Sequence, residues 1–327
     1  MSSKEKTKTN DTEVIKQTNK SLELIKNGRF EEALESFSLI LKNNYSNSAA
    51  ESGIKCCKYW IPRNNKFRKL NDNYEKGKLI FNEWKKFEKF SKSLKNIHSK
   101  VISNVMFYIF NSALEAFKKE IRENRILDFE TYYIIALSYK KIGDFKNAIK
   151  YFEETLNIEN DNSNIIAQLA DCYALIDEEK KAKLLFREAF FIDPSSIDLE
   201  LLDSNIITYI TAKILELNYS KKEVQYWIPI FGRVLNILNV FRELIPVEIS
   251  KIKREISYIE NNYKNQIDKD NCIKTKLINS YLWLIDYLKI NNQDKNEIDE
   301  IENKLRSISE TIYQLLKNDN KILQELK

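Results

Sequence analysis

The feature that most constrains the fold of this sequence is a pattern of residues that recurs after 34 positions. Residues 129–162 and 163–196 carry apolar, turn-forming and aromatic residues at matching places. A repeat of this length is typical of stacked helical hairpins. In the first copy these residues are Ile135, Ala136, Tyr139, Gly143, Phe145, Ala148 and Phe152, and in the second they are Leu169, Ala170, Tyr173, Asp177, Glu179, Ala182 and Phe186.

An earlier copy of the same pattern lies between Val14 and Tyr45. Its small residue permits close approach of two helices, its glycine permits a tight turn, and its aromatic residue fills the gap between the helices. Pro194 follows the last helix of the third copy and ends it, whereas Tyr45 takes that place in the first. The matching pairs are Gly28 with Gly143, Phe30 with Phe145, Ala33 with Ala148 and Phe37 with Phe152.

These three hairpins resemble the tetratricopeptide repeat family, whose solenoids bind other proteins. The resemblance implies an all-α superhelix, a solenoid of antiparallel helix hairpins, with additional irregular helices. It also implies that one face of the first helix of each repeat lines a concave groove. On this sequence the groove residues are Thr18, Leu22, Ile25, Lys26, Tyr133, Leu137, Lys140, Lys141, Ala167, Asp171, Ala174 and Leu175.

The predicted groove has a mixed lining, part apolar and part charged. Family members that hold a terminal carboxylate of a peptide use Lys and Asn here, whereas Tyr133, Leu137 and Asp171 stand at such places in this chain. An amphipathic helix fits this lining better. The alternative is that Leu22, Leu137 and Leu175 are covered by neighbouring helices.

Long periodic stretches and only five glycines and four prolines in 327 residues indicate an all-helical chain. We expect further helices near Ile206–Leu217, Trp227–Leu244, Ile249–Ile259 and Cys272–Ile290. The predicted organisation is a disordered tail (1–12), a first repeat (13–50), a long basic helical insertion or degenerate repeats (51–128), two repeats (129–196) and a C-terminal helical region (197–327).

The segment 51–128 does not keep the period of the repeats. The sequence predicts a helix over Ser52–Trp60 that stops at Pro62, a second helix over Asn65–Leu94, and a third over Val101–Ile121. The letters YWIP at 59–62 recur at 226–229. This recurrence is compatible with duplication and equally with chance.

The last segment has apolar residues in alternating steps of three and four. Such a stripe predicts either a helix that caps the end of a solenoid or a coiled-coil seam through which two copies of the chain pair. The stripe comprises Ile298, Ile301, Leu305, Ile308, Ile312 and Leu315.

Basic residues concentrate between Lys55 and Lys100, where fourteen Lys or Arg face four acids, a net charge of +10 in a chain of +5. Aromatic residues at helical spacing interleave with them, and we expect these rings to be core and the lysines to be solvated. An acidic protein partner would then explain the charge. The candidate binding residues here are Lys85, Lys86, Lys89 and Lys92.

The sequence offers little for catalysis. His98 is the single histidine, expected in a solvated turn, and no glycine-rich phosphate loop or cluster with metal-ligand spacing is present. We therefore expect no enzyme activity, no cofactor and no metal. Cys56, Cys57, Cys172 and Cys272 are expected to be reduced thiols that pack in the core.

We therefore expect a non-enzymatic scaffold or adaptor that binds a protein partner through the repeat helices and the basic segment. A structural subunit of a larger assembly, such as the collar of a spirochaete-type flagellar motor, is the alternative, and a polyanion-binding or nucleic-acid-binding role ranks third. The polar N-terminus and the absence of an 18-residue apolar run predict a cytoplasmic protein without a transmembrane segment.

Overall fold

The computed structural model of this protein describes residues 3–94, 96–124, 128–267, 270–292 and 295–317. Within these ranges the regular structure consists of helices and contains no strand, which confirms the all-α prediction. The α-helices are α1 (Ser3–Lys26), α2 (Phe30–Asn43), α3 (Ser48–Arg68), α4 (Asn73–Ser93), α5 (Ser99–Asn124), α6 (Phe129–Lys141), α7 (Phe145–Ile158), α8 (Ser163–Leu175), α9 (Glu179–Ile192), α10 (Asn205–Glu216), α11 (Val224–Val234), α12 (Pro246–Asn262), α13 (Asn271–Ile290), α14 (Lys295–Ile308) and α15 (Glu310–Lys317).

The chain divides into two compact units, and the boundary lies inside α7, between Tyr151 and Phe152. The N-terminal unit contains α1 to α6 and the start of α7. The C-terminal unit contains the rest of α7 and all later helices.

The turns of the three repeats have the same backbone geometry. Gly28, Gly143 and Asp177 have positive φ values of 71°, 85° and 62°. At each turn this residue donates its N–H to the carbonyl three positions earlier, and the next residue donates to the carbonyl five positions earlier, as in Asp144 N to Tyr139 O at 2.9 Å. This pair of bonds is the Schellman motif that closes a helix. The predicted equivalence of the three turns is therefore confirmed.

The packing positions of the repeats are also equivalent. All six of the small and aromatic residues that mark the second helix of each repeat are fully buried. Burial of the alanine brings the helices close together, and the aromatic side chain fills the space beside it. These residues are Ala33, Ala148 and Ala182 with Phe37, Phe152 and Phe186.

In the N-terminal unit, α5 is the central helix, because it packs against α1, α3, α4 and α6. Tyr108 of α5 covers the first repeat turn and its ring lies 5.2 Å from that of Phe30. A Cβ atom at Gly28 would lie 2.2 Å from the Tyr108 ring, so this turn requires glycine for space as well as for φ. The Tyr108 hydroxyl also donates to Asn64 Oδ1 of α3 at 2.5 Å.

Several helix boundaries differ from the sequence prediction, and α4 begins at Asn73 instead of the predicted Asn65. Helix α3 continues through Pro62 to Arg68 instead of stopping at the proline. The packing of Trp60 and Phe67 on either side of Pro62, both buried, accounts for this, because it favours one continuous helix over a break. Helix α1 begins at Ser3, so it covers most of the segment predicted as a disordered tail; no Gly or Pro precedes Gly28 to stop it. Residues 1 and 2 of that segment lie outside the described ranges.

The two YWIP segments both lie inside helices, α3 and α11, with their prolines within the helix. Trp60 and Trp227 are both buried. Helix α11 ends at Val234 and is shorter than the predicted span to Leu244, because Asn236 takes a φ of 55° and ends the helix with the same motif as the repeat turns.

The core of the C-terminal unit centres on α13, which is apolar on most sides as the sequence predicts. The last apolar stripe forms two helices, α14 and α15, which are separated at Ser309. Ile301, Leu305, Ile312 and Leu315 are buried in this core, and the other two members of the stripe pack against it. The stripe is thus covered by other helices of the same chain, as the capping interpretation requires.

Candidate partner-binding surface

The first predicted surface, the groove face of α6, is largely covered. Leu137 and Lys140 are each only 2% exposed, whereas Tyr133 and Lys141 are half-buried. Leu22 and Ile25 of α1 are also buried. The alternative that neighbouring helices cover these apolar residues is therefore the one the structure supports. A partner cannot reach Leu137 or Lys140 in this conformation.

The predicted groove residues of α8 have a structural role. Asp171 is fully buried and accepts hydrogen bonds from the backbone N–H groups of Asp203 at 2.7 Å and Ser204 at 2.9 Å. These two N–H groups precede α10 and would otherwise lack an intrahelical partner. Asp171 thus fixes the start of α10. Leu175, the other predicted groove residue near the end of α8, is half-buried.

The second predicted surface, on α4, is exposed. Lys85, Lys86, Lys89 and Lys92 are all exposed, and their spacing places them on one face of the helix. We call these four residues the α4 lysine stripe. Its flank carries the half-buried Glu88. A helix rises 1.5 Å per residue, so the stripe extends for about 10 Å along the surface.

The opposite face of α4 carries the aromatic residues and lies in the core. Phe81, Trp84 and Phe87 are buried, and the ring of Trp84 lies 5.2 Å from that of Phe110 on α5. The prediction of core positions is confirmed for Trp60, Phe67, Phe81 and Trp84, whereas Tyr74 is half-buried. Stacking of nucleic-acid bases requires exposed rings, so these residues cannot form a stacking platform.

An ion-pair network holds α4 against α3. The carboxylate of Glu83 accepts from Arg63 of α3 at 2.9 Å and from Lys86 at 2.6 Å. Arg63 also lies over the Tyr59 ring, with its guanidinium carbon 3.6 Å from the ring centre. Burial raises the pKa of Glu83, but the hydrogen bonds from Lys86 and Arg63 outweigh it, so this pKa lies below its ordinary value.

Helix α3 adds further cations to this part of the N-terminal unit. Lys58, Lys66 and Arg68 of α3 are exposed, as is Lys69, which directly follows the helix. Lys95, which also belongs to the basic segment, lies outside the described residues. The α4 lysine stripe and these α3 cations make the basic segment an exposed positively charged surface.

The residues with side chains most often used in catalysis or metal binding are His98 and the four cysteines. His98 precedes α5, is half-buried rather than solvated, and donates its backbone N–H to Ser52 Oγ at 2.9 Å. Cys56, Cys57 and Cys172 are buried, and burial raises the pKa of Cys56 and Cys57 to about 12, which disfavours the thiolate. Cys272 is exposed, contrary to the core prediction, because it lies in the first turn of α13. Within the described residues, no group of three or more His, Cys, Asp or Glu side chains is placed to hold a metal ion.

A comparison with protein-family models identifies one of the three repeats. Residues 129–162, which contain α6 and α7, match the tetratricopeptide repeat model. The chain therefore contains a tetratricopeptide repeat, and the hairpins α1–α2 and α8–α9 share its turn geometry and buried positions. No curated protein sequence is significantly similar to the chain. In the part of the chain that the structure describes, no helix combines the length and apolar character needed to cross a membrane.

Sequence reasoning missed the residues that hold the surfaces in place. In the sequence Arg63 and Glu83 are two charges among many, yet in the structure they join α3 to α4. Arg187 and Asp286 pair across 99 residues of sequence in the C-terminal unit. No local pattern marks such a pair, because the two residues belong to helices that meet only in the folded unit.

Proposed function

We propose that this protein is a non-enzymatic scaffold or adaptor, and that it holds an acidic segment of a partner protein on the α4 lysine stripe. The observation that carries the proposal is the exposure of all four lysines on one face of a helix whose other face is core. Tetratricopeptide repeats are typical of proteins that bind other proteins, which supports the general class.

The charge distribution favours an acidic partner. The basic segment carries a net +10 while the whole chain carries +5, so the remaining residues carry −5. Such an asymmetry steers an acidic surface toward one part of the molecule and speeds its association. A helix or extended segment with carboxylates spaced over about 10 Å would match the stripe.

We do not assign the partner contact to the groove face, because its residues are covered in this conformation. Leu137, Lys140 and Asp171 are buried, and substitutions there would act on folding rather than on a contact. The proposed contact therefore rests on Lys85, Lys86, Lys89 and Lys92, with Lys58 and Lys66 of α3 and the adjoining Lys69 as further cations.

The test is capture of a stoichiometric partner from the cells that produce the protein, by the wild-type chain and by a fourfold variant. In that variant Lys85, Lys86, Lys89 and Lys92 are replaced by Glu, and partner recovery is expected to fall at least tenfold. Because these residues are exposed, circular dichroism should show an unchanged helical fold. Recovery by the wild type should also decline as salt rises from 50 to 500 mM, since surface charges are screened.

A matched control makes the same charge change elsewhere. Lys146, Lys150, Lys180 and Lys181 are exposed lysines of the repeat helices α7 and α9, and their replacement by Glu should leave recovery within about twofold of wild type. Equal loss in both variants would show a dependence on net charge alone and contradict the proposal. A salt-sensitive complex with nucleic acid, lost only in the α4 variant and without any captured protein, would instead support the polyanion-binding role.

A further inference from the structure

The connection between α9 and α10, residues 193–204, is long for its place in the fold. The connections α6–α7 and α8–α9 have three residues each (142–144 and 176–178), whereas this one has twelve. Neighbouring helices are commonly joined by about two to eight residues. The extra length lets the connection run over a face of another helix before α10 begins. We call its last nine residues, 196–204, the strap; their sequence is SIDLELLDS.

The strap lies along the predicted groove face of α8, where two side chains accept hydrogen bonds from its backbone. Asn164 Oδ1 accepts from the N–H of Asp198 at 3.0 Å. The carboxylate of Asp171 accepts from the N–H groups of Asp203 and Ser204. Asn164 and Asp171 are seven residues apart, so they lie on one face of α8, separated by about 10 Å along the helix axis.

An apolar residue precedes each of these contacts in the strap and is buried. Ile197 comes before Asp198 and is 4% exposed, and Leu202 comes before Asp203 and is 8% exposed. Both belong to the same apolar cluster as Ala167, a groove residue of α8. The strap therefore presents the same unit twice, a buried apolar side chain followed by a backbone N–H group that meets an acceptor of α8.

These contacts are of the kind by which proteins recognise extended peptides. They use backbone N–H groups, which almost every peptide offers, together with two apolar side chains. The backbone is extended at Ile197, Asp198 and Leu202. The side chains of Asp198 and Asp203 are exposed, so α8 holds these residues by their backbone. A segment of another protein with the same pattern can make the same contacts.

Helix α8 has both acceptors, whereas α6 lacks one of them. Thirty-four residues earlier, the places of Asn164 and Asp171 hold Glu130 and Leu137. A leucine side chain has no acceptor for a backbone N–H group. Helix α6 packs against the helix α5, whereas the strap is a connection with only a short 3₁₀ turn. A connection of this kind opens at a lower free energy than a buried helix does.

We propose that the strap is an internal ligand of α8, and that it leaves the groove face when an extended peptide of a partner binds there. The partner peptide carries two apolar residues five positions apart, each followed by a residue other than proline, since proline has no N–H. The strap is tethered at both ends, so its effective concentration at α8 is on the order of millimolar or higher, and weak peptides are excluded. The α4 lysine stripe plays no part in this contact.

The test compares two variants of the full chain, Asp198→Pro and Asp198→Ala. Asp198 has a φ of −81° and follows Ile197 with a ψ of 121°, so proline fits this backbone. Proline removes the N–H group that Asn164 accepts, whereas alanine keeps it. Both variants lose the exposed carboxylate, which makes Asp198→Ala the matched control. The probe is a fluorescent, end-capped peptide with the sequence of the strap, and fluorescence anisotropy measures its binding.

The peptide should bind to Asp198→Pro about fivefold or more tightly than to Asp198→Ala, because it keeps the N–H group that the strap of this variant lacks. Adding Asn164→Ala to the Asp198→Pro chain should return binding to the level of Asp198→Ala, since neither segment then finds the acceptor. Equal binding to the two Asp198 variants, a gain that survives Asn164→Ala, or no binding to Asp198→Pro at about 1 mM peptide would overturn the proposal.

Hydrogen exchange of the wild-type chain is a second test, and it decides if Asp198→Pro does not fold. A strap that opens separately should let the amides of Asp198, Asp203 and Ser204 exchange at least tenfold faster than the amide of Leu169 in the middle of α8. Low concentrations of urea should leave the exchange rates of the strap nearly unchanged, because its opening exposes little surface. Exchange of the strap only in step with α8 would show one cooperative unit and overturn the proposal.

Discussion

Helices α6 and α4 both carry lysines that the sequence assigned to partner binding, and the structure places them in opposite surroundings. Lys140 of α6 is 2% exposed, whereas all four members of the α4 lysine stripe are exposed. The difference shows that a place on the groove face of a repeat does not by itself leave a residue accessible to a partner, because neighbouring helices can cover that face. The stripe of α4 keeps its access to solvent because its helix buries only the aromatic side.

Among the substitutions that test this comparison, Leu137→Ala should cause the largest loss of unfolding free energy. Leu137 is 2% exposed, so the change removes buried apolar volume and should lower the free energy of unfolding by about 2–5 kcal/mol. Leu39 of α2, which is 60% exposed, is the control, and Leu39→Ala should cost less than about 0.5 kcal/mol. Urea unfolding monitored by circular dichroism measures both. Equal, small losses of unfolding free energy in both variants would mean that the groove face of α6 is exposed to solvent.

Replacement of Asp171 by Ala should have the next largest effect. The change leaves the N–H groups of Asp203 and Ser204 without their acceptor and should cost about 1–3 kcal/mol of unfolding free energy. Asp161 is exposed, and Asp161→Ala provides a control with little expected cost. Hydrogen exchange should also show faster exchange at the start of α10 in the Asp171 variant. Slow exchange there, with unchanged stability, would contradict the structural role.

Glu83→Gln tests the ion pairs that support α4, and its effect should be smaller, about 1 kcal/mol near neutral pH, because Glu83 is buried but its partners Arg63 and Lys86 are partly exposed. The pKa of Glu83 is lowered in the folded state, so its stabilising contribution is present above the unfolded value of 4.5 and is lost as the pH falls through the lower folded value. The stability difference between wild type and variant should therefore shrink as the pH is lowered below 4.5. A stability difference between wild type and variant that does not change with pH would show that the charge of the Glu83 carboxylate does not stabilise the fold.

The smallest stability effect should come from the α4 lysine stripe itself. Replacement of Lys85, Lys89 and Lys92 by Glu should change the unfolding free energy by no more than about 1 kcal/mol, because exposed substitutions away from buried groups have small effects. Lys86 is left unchanged in this variant because it pairs with the buried Glu83. Thermal unfolding of the threefold variant beside the α7/α9 control variant measures this. A large loss would mean that the lysines have a structural role and are not available to a partner.

The sequence alone was sufficient to predict the repeats and the two faces of α4. The 34-residue spacing specified the turns at Gly143 and Asp177, the matching residues specified the turn at Gly28, and all three show a positive φ. In α4, aromatic residues and lysines alternate with helical period, so the buried and exposed faces are distinct. Helix α6 lacks this contrast: Ile134, Ile135, Ala136 and Leu137 are consecutive, and their order does not show which face a later helix covers.

Other features depend on contacts that the sequence does not encode locally. The continuation of α3 through Pro62 depends on the packing of Trp60 and Phe67. The burial of the Ile298–Leu315 stripe depends on the surface of α13, which is separate in sequence. An amphipathic stripe indicates that an apolar face must be covered, but not whether the cover is the same chain or a second copy.

The most direct measurement of the central claim is site-specific photo-crosslinking to the partner. A photoreactive residue replaces Lys89 of the α4 lysine stripe in one variant and Lys146, an exposed lysine of α7, in another. The account predicts that the partner forms an adduct at position 89 and none at position 146, and that added salt reduces the adduct. Adducts at position 146 with none at position 89 would contradict it.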